Sequence, residues 1–267
     1  MSYDPESTKG VPESARERLK QSKAGLFTSD LSVSEFLLVE DVGFDPVGLV
    51  MGSSVYHLGF QAPKVGNCEL QTLSEAMYAA RDLAMTRMEE EADQLGADGI
   101  IGVRLEVGRH EWGADMCEFI AIGTAVKHSA GVLHRAPSGR PFTSDLSGQD
   151  FWTLIRCGQR PVGLVMGSCV YHVGRRGFIQ TTVQMGRNAE MANFTQALYD
   201  ARELAMGRMQ AEAEQAQARG IVGVQIQEHN HTWGSHTVEF FAIGTAVVRA
   251  EDPPKSVSPT AVVTLDD

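Results

Sequence analysis

The 267-residue chain has no run of 18 or more uninterrupted apolar residues, and its N-terminus MSYDPESTKGVPESARERLK has no apolar core. The first absence argues against a membrane-spanning helix and the second against a secretory leader, so the expected location is the cytoplasm. Basic residues are also in deficit: 23 Lys and Arg against 34 Asp and Glu leave a net charge of −11. Phosphate recognition needs clustered cations, so neither nucleic acid nor an anionic membrane is an expected partner. Cysteine is limited to Cys68, Cys117, Cys157 and Cys169, at spacings that suit neither a CxxC site nor a disulfide framework. Missing too are a GxGxxG or GxxxxGK[ST] loop opening a helix and a GxSxG elbow around Ser53 or Ser168. Neither a phosphate cradle nor a serine nucleophile is indicated.

What the chain does contain, it contains twice. Val47 to His57 (VGLVMGSSVYH) returns as Val162 to His172 (VGLVMGSCVYH), identical at ten of eleven positions and 115 residues later. Glu118 to Val126 (EFIAIGTAV) returns as Glu239 to Val247 (EFFAIGTAV), identical at eight of nine and 121 residues later. Units of this length are whole domains rather than solenoid repeats, and the change of offset places about six inserted residues in the second copy. In this register Cys117 stands opposite Val238, Cys157 opposite Val42 and Cys169 opposite Ser54. The cysteines therefore read as reduced, small core residues.

Each copy opens with FTSDLS (Phe27 to Ser32, Phe142 to Ser147), a turn or cap. Two apolar runs follow, Phe36 to Val42 and Val47 to Leu58 in copy one, Phe151 to Cys157 and Val162 to Val173 in copy two, and both read as strands. Next comes a stripe at steps of three and four, Leu73, Met77, Ala80, Ala84 and Met88, repeated as Phe194, Leu198, Ala201, Ala205 and Met209. That spacing predicts a long helix with one buried face, stopped by Gly96 and by Gly220. Two more strands close each copy, Ile100 to Val107 with Met116 to Lys127, and Ile221 to Gln227 with Thr237 to Arg249. The expected fold class is α+β, two repeated two-layer domains, each an antiparallel sheet with one long helix in the order β-β-α-β-β. The expected divisions are a disordered arm (1–24, with a short helix from Glu13 to Lys20), domain one (25–128), a linker (129–140), domain two (141–249) and a disordered tail (250–267). Within that tail Ala261 to Leu265 offers a short strand for a protein partner.

Ala80-Arg81 in a Met/Ala-rich helix, then Leu95-Gly96-Ala97-Asp98-Gly99-Ile100-Ile101-Gly102-Val103, then Gly123-Thr124-Ala125-Val126, resembles the YbjQ-like family, also labelled heavy-metal-binding. The resemblance covers each copy almost entirely, although copy two has Ala218-Arg219-Gly220 where Gly-Ala-Asp belongs. It implies a small two-layer α/β domain that assembles into pentameric rings, and little about activity. A single five-domain ring cannot be built from whole two-domain chains. A homopentamer with the copies segregated into two stacked rings, joined by Lys127 to Arg140 as an extended tether, is therefore expected. A six-domain ring of three chains, and a chain whose copies pair only with each other, are the alternatives.

Candidate site residues fall into four groups. The turns around His110 and Trp112, and around His231 and Trp233, share His-x-Trp-Gly, which presents an indole beside an imidazole. In copy two His229, His231 and His236 could serve one Zn²⁺, Ni²⁺ or Cu²⁺, because residues 229 and 231 share a face of an extended segment. His57 and His172 end the duplicated strand and suit a cavity between subunits. Glu118 and Glu239 lie among apolar residues of the last strand and need partners. Arg81 and Arg202 are the natural ones, as ion pairs across domain or subunit boundaries. No cofactor other than such a divalent metal is implied. The expectation is a non-enzymatic, ring-forming scaffold or binding protein; the alternatives are a metal-binding protein and an enzyme with a site between subunits.

Overall fold

A computed structural model describes residues 10–23, 25, 27–57, 66–109, 116–131, 134–174, 192–231 and 237–250. Copy one contains α2 (Val33–Asp41), β1 (Phe44–His57), β2 (Cys68–Glu69), α3 (Gln71–Leu95), β3 (Gly99–Arg109) and β4 (Met116–His128). It is preceded by α1 (Glu13–Lys23). Copy two contains β5 (Phe142–Thr143), α4 (Gly148–Arg156), β6 (Gln159–His172), α5 (Ala192–Gln215), β7 (Gly220–His231) and β8 (Thr237–Arg249). The class is α+β as expected, with one long helix on an antiparallel three-stranded sheet in each copy.

The first element of each copy is a helix, not the strand its apolar run suggested. Ser32 caps α2 through a full capping box with Glu35, and Ser147 caps α4 by accepting the Asp150 amide at 3.1 Å. The last residue of FTSDLS is thus a helix start, and satisfying the free amides of a first turn outweighs a short apolar run. The rest of the motif is tied to the duplicated last strand. Ser144 lies 3.0 Å from the hydroxyl of Thr245, which donates to Asp145 at 2.6 Å; Ser29, Asp30 and Thr124 make the same triad in copy one.

Small residues let each long helix come close to its strand. Ala80, Ala84, Ala201 and Ala205 are wholly buried, and an added Cβ on Gly52 would stand 2.1 Å from the Ala84 carbonyl oxygen. Gly167 repeats this against Ala205 at 2.0 Å. Gly96 ends α3 in the left-handed region, as expected, with φ 72°. In α5 that position falls on Gln217, φ 55°, and Gly220 instead opens β7. Gly102 and Gly223, φ 63° and 66°, each sit at a bulge in the third strand.

The copies pack directly against each other and exchange strands. The sheets run β1-β4-β3-β5 and β2-β6-β8-β7, so β2 of copy one joins the sheet of copy two, and β5 of copy two pairs in parallel with β3 of copy one. The connection read as an extended tether folds back: Arg135 bonds Asp93 and the Ala97 carbonyl, and the Ala136 amide donates to Arg140. The copies of one chain are thus in direct contact, and the extended tether expected to join two stacked rings is replaced by this packing. Within the arm expected to be disordered, the short helix expected from Glu13 to Lys20 forms as α1 and is docked on copy one, with Leu19 and, just before the helix, Val11 each 2% exposed. Among the described residues no helix is long and apolar enough to cross a membrane.

Candidate functional site

The joint between the copies gathers the charged groups that the sequence placed in apolar surroundings. Arg81 on α3 donates to Glu239 on β8 at 2.6 Å and to the Ser168 hydroxyl on β6 at 3.3 Å, and Ser168 donates to Glu239 at 2.8 Å. Both charged side chains are 1% exposed. The guanidinium also lies over Phe241 at 4.0 Å and Phe119 at 5.2 Å from the ring centroids. Aromatic faces and two oxygens thus replace the water that Arg81 loses. Its Nη2 has no hydrogen-bond partner among the described atoms.

Around this centre the joint is polar at its edge and apolar beneath. The Val170 amide donates to Ser74 and the Leu70 amide to the Val170 carbonyl, each at 2.8 Å. Arg208 binds Glu69 with two hydrogen bonds, 2.6 and 3.0 Å, and the Ser168 carbonyl at 2.6 Å. Burial, the largest single influence, opposes ionisation of Glu69, but hydrogen bonds from Arg208 and Ser74 and the Arg208 charge together hold the carboxyl below its ordinary range. Tyr78 donates to Glu212, which also accepts the Met166 amide at 2.7 Å. Met166, Phe241 and Ile243 form the apolar floor, with Tyr78 and Leu105 against it. Trp152 on α4 donates to Asp41 on α2 at 2.8 Å, and the Gly148 amide donates to Glu35 at 3.0 Å.

Burial pushes the Glu212 carboxyl up from 4.5 to about 7, opposed by the Met166 amide. A carboxyl raised on folding favours the folded state when protonated; that contribution is full below about pH 4.5 and is lost as pH rises through about 7. Glu212→Gln should therefore be nearly neutral at pH 4.5 and stabilise by about 1–3 kcal/mol at pH 8. Urea unfolding at both pH values measures this, and an equal change at the two would refute the assignment.

The remaining sequence candidates are scattered. Arg202 is half-buried over Tyr199 and Phe240, and Glu118 is half-buried opposite Val55. His57 is exposed at the end of β1, whereas His172 is half-buried opposite Cys68, at the strand exchange. His110, Trp112, Trp233 and His236 lie outside the described residues, as do the side chains of His229 and His231. The backbone sets His229 opposite Glu239 and His231 opposite Thr237. Among the described residues there is no cluster of three metal-ligating side chains. Of the cysteines, Cys169 is in the core, where burial pushes its thiol up to about 12, and Cys68 is half-buried. Cys157 is exposed, contrary to a core role, and the Cys117 side chain lies outside the described residues. Sequence reasoning missed Tyr78, Arg208 and Glu212. Their signal was present in the repeat: Tyr78, Arg87 and Glu91 recur as Tyr199, Arg208 and Glu212.

Two separate stretches, residues 49–129 and 158–250, match the family described as "Putative heavy-metal-binding", YbjQ_1. The chain belongs to the YbjQ family. It carries the YbjQ domain in tandem, and each match spans the duplicated strand, the long helix and the two closing strands. Over 255 residues the chain is 51% identical to an encapsulin nanocompartment protein of Mycobacterium tuberculosis, covering 94% of this chain and 96% of that one. Shorter relatives of the UPF0145 group match one YbjQ unit's length. One from Pseudothermotoga lettingae is 34% identical over 31% of this chain and 82% of its own; one from Thermosipho melanesiensis is 38% identical over 30% and 78%.

Proposed function

We propose that this tandem YbjQ protein is a non-enzymatic, self-associating scaffold component of the cytoplasm that works through protein surfaces in a nanocompartment context. The observation that carries the reading is the Arg81–Ser168–Glu239 joint. The buried charges join one copy to the other, and their hydrogen bonds and aromatic contacts leave no substrate-facing acid or base there. A mycobacterial relative aligned over nearly its whole length and named for an encapsulin nanocompartment supports the same class of activity. Size-exclusion chromatography with light scattering on the full chain tests it. An assembly of several 29.0 kDa chains is expected at micromolar concentration, and a monomer would refute the reading.

A second reading is transition-metal binding by His229, His231 and His236, favoured by the two-residue spacing of 229 and 231 on one strand and by the family description. Calorimetric titration with Zn²⁺, Ni²⁺ and Cu²⁺ should then show a site that is lost when His231 and His236 are both replaced by Ala. Unchanged stoichiometry in the double variant would eliminate it.

A further inference from the structure

The same strand is buried in one copy and bare in the other. On β6, Met166, Ser168 and Val170 are 5%, 1% and 0% exposed beneath copy one. Their counterparts on β1, Met51 and Val55, are 40% and 51% exposed, and Ser53 is exposed too. The mismatch repeats on the facing surface. Arg81 is 1% exposed and Val103 3%, whereas Tyr199 is 55% exposed, Val224 42%, and Arg202 only half-buried. At the strand exchange Phe142 is 2% exposed and its counterpart Phe27 42%. On the short helices Gly148 packs on Glu35, while its counterpart Val33 is 80% exposed.

Each chain thus carries the two halves of its own internal joint a second time, one on copy two and one on copy one, uncovered. From these paired differences we infer that a second copy of this chain docks head to tail, the α5 face of one chain seating on the outer face of β1 and β4 of the next. This inference rests on the self-association reading and specifies its interface. Arg202 meets Glu118 of the next chain as Arg81 meets Glu239, and it is already poised for this. It stacks on Phe240 of its own copy at 5.5 Å, as Arg81 stacks on Phe119. The receiving socket is also preformed. A cavity of about 500 Å³ is lined by Met51, Ser53, Arg87 and Glu91 on one side and by α1 on the other. In copy two the equivalent corner holds Tyr78, bonded to Glu212, and Glu69, bonded to Arg208. Tyr199 is the residue that enters this socket. Arg18 of α1 and the Met51 amide both bond Oε2 of Glu91, whereas Tyr78 bonds Oε1 of Glu212.

One repeated heterologous contact alternates copy one and copy two within a single layer, and a closed ring of this kind holds an even number of domains. Two variants test the joint, Val55→Asp on the receiving face and Tyr199→Asp on the inserting face, both at exposed positions where folding, followed by circular dichroism, should be unaffected. By light scattering at micromolar concentration each alone is expected to be monomeric. Mixed in equal amounts they should form a heterodimer and nothing longer, because each supplies the face the other lacks. Arg202→Glu and Glu118→Arg should each weaken self-association at least tenfold, with the double variant recovering most of the loss. If the wild-type chain assembles while both aspartate variants assemble equally well, the joint is wrong and self-association stands. A monomeric wild type removes both. Assembly blocked by only one aspartate variant, or a mixture that remains monomeric, overturns the head-to-tail contact.

Discussion

Glu239→Ala is expected to destabilise the protein by about 3–5 kcal/mol, the cost of leaving a buried guanidinium without its carboxylate. Arg81 is 1% exposed, and Ser168 alone cannot replace the charge. Arg81→Ala should cost a similar amount by stranding Glu239. The double variant Arg81→Met with Glu239→Leu should recover most of the loss, because an apolar pair of similar volume avoids desolvating two ions. Since the pair bridges the copies, the single variants should also split one unfolding transition into two as the copies lose their coupling. Differential scanning calorimetry with urea titration reads both effects. A loss below about 1 kcal/mol in either single variant would show that water reaches the pair.

Gly52→Ala and Gly167→Ala are expected to be comparably damaging for a steric reason. The new methyl carbon would stand 2.1 Å from the Ala84 carbonyl oxygen and 2.6 Å from the Met88 amide nitrogen in copy one. In copy two it would stand 2.0 Å from the Ala205 carbonyl oxygen and 2.7 Å from the Met209 amide nitrogen. These are helix backbone atoms and cannot rotate away, so the whole helix must lift and its alanine face lose contact with the sheet. A loss of about 3 kcal/mol or more for each variant is the expectation, at the upper end of overpacking costs. Gly207→Ala is the control. It lies in α5 with nothing within 4 Å of the added carbon, so it should stabilise by about 0.5–1 kcal/mol through helix propensity. Thermal melts of the three proteins check the ranking, and a tolerated Gly52→Ala would mean that helix and sheet are not held at this spacing.

Much of the frame was legible before any coordinates. The duplication, the buried stripe of α3 and the two closing strands were readable because each is written in residues close together along the chain. The stripe repeats at the helical period, and β8 was bounded at Thr237 and Arg249 by its apolar run alone. The errors were local signals weighed wrongly. Ser32 and Glu35 spelled a capping box, yet the apolar run after them read as a strand. Gly220 drew attention from Gln217, where the helix end adopts a backbone conformation that glutamine rarely supplies.

The sequence by itself determined that Glu239 needed a cation, since a carboxylate within an apolar strand is costly without one, and it offered Arg81 and Arg202 equally. Only the tertiary structure decided between them. It brought Arg81 across 158 residues to Glu239 and left Arg202 over Phe240 at the open side of copy two. Periodicity, capping and turn chemistry act between near neighbours and therefore leave a readable trace in order and spacing. Which of two nearly identical strands is covered depends on how two folded bodies dock, and nothing in VGLVMGSSVYH or VGLVMGSCVYH records that Val170 would be buried and Val55 exposed.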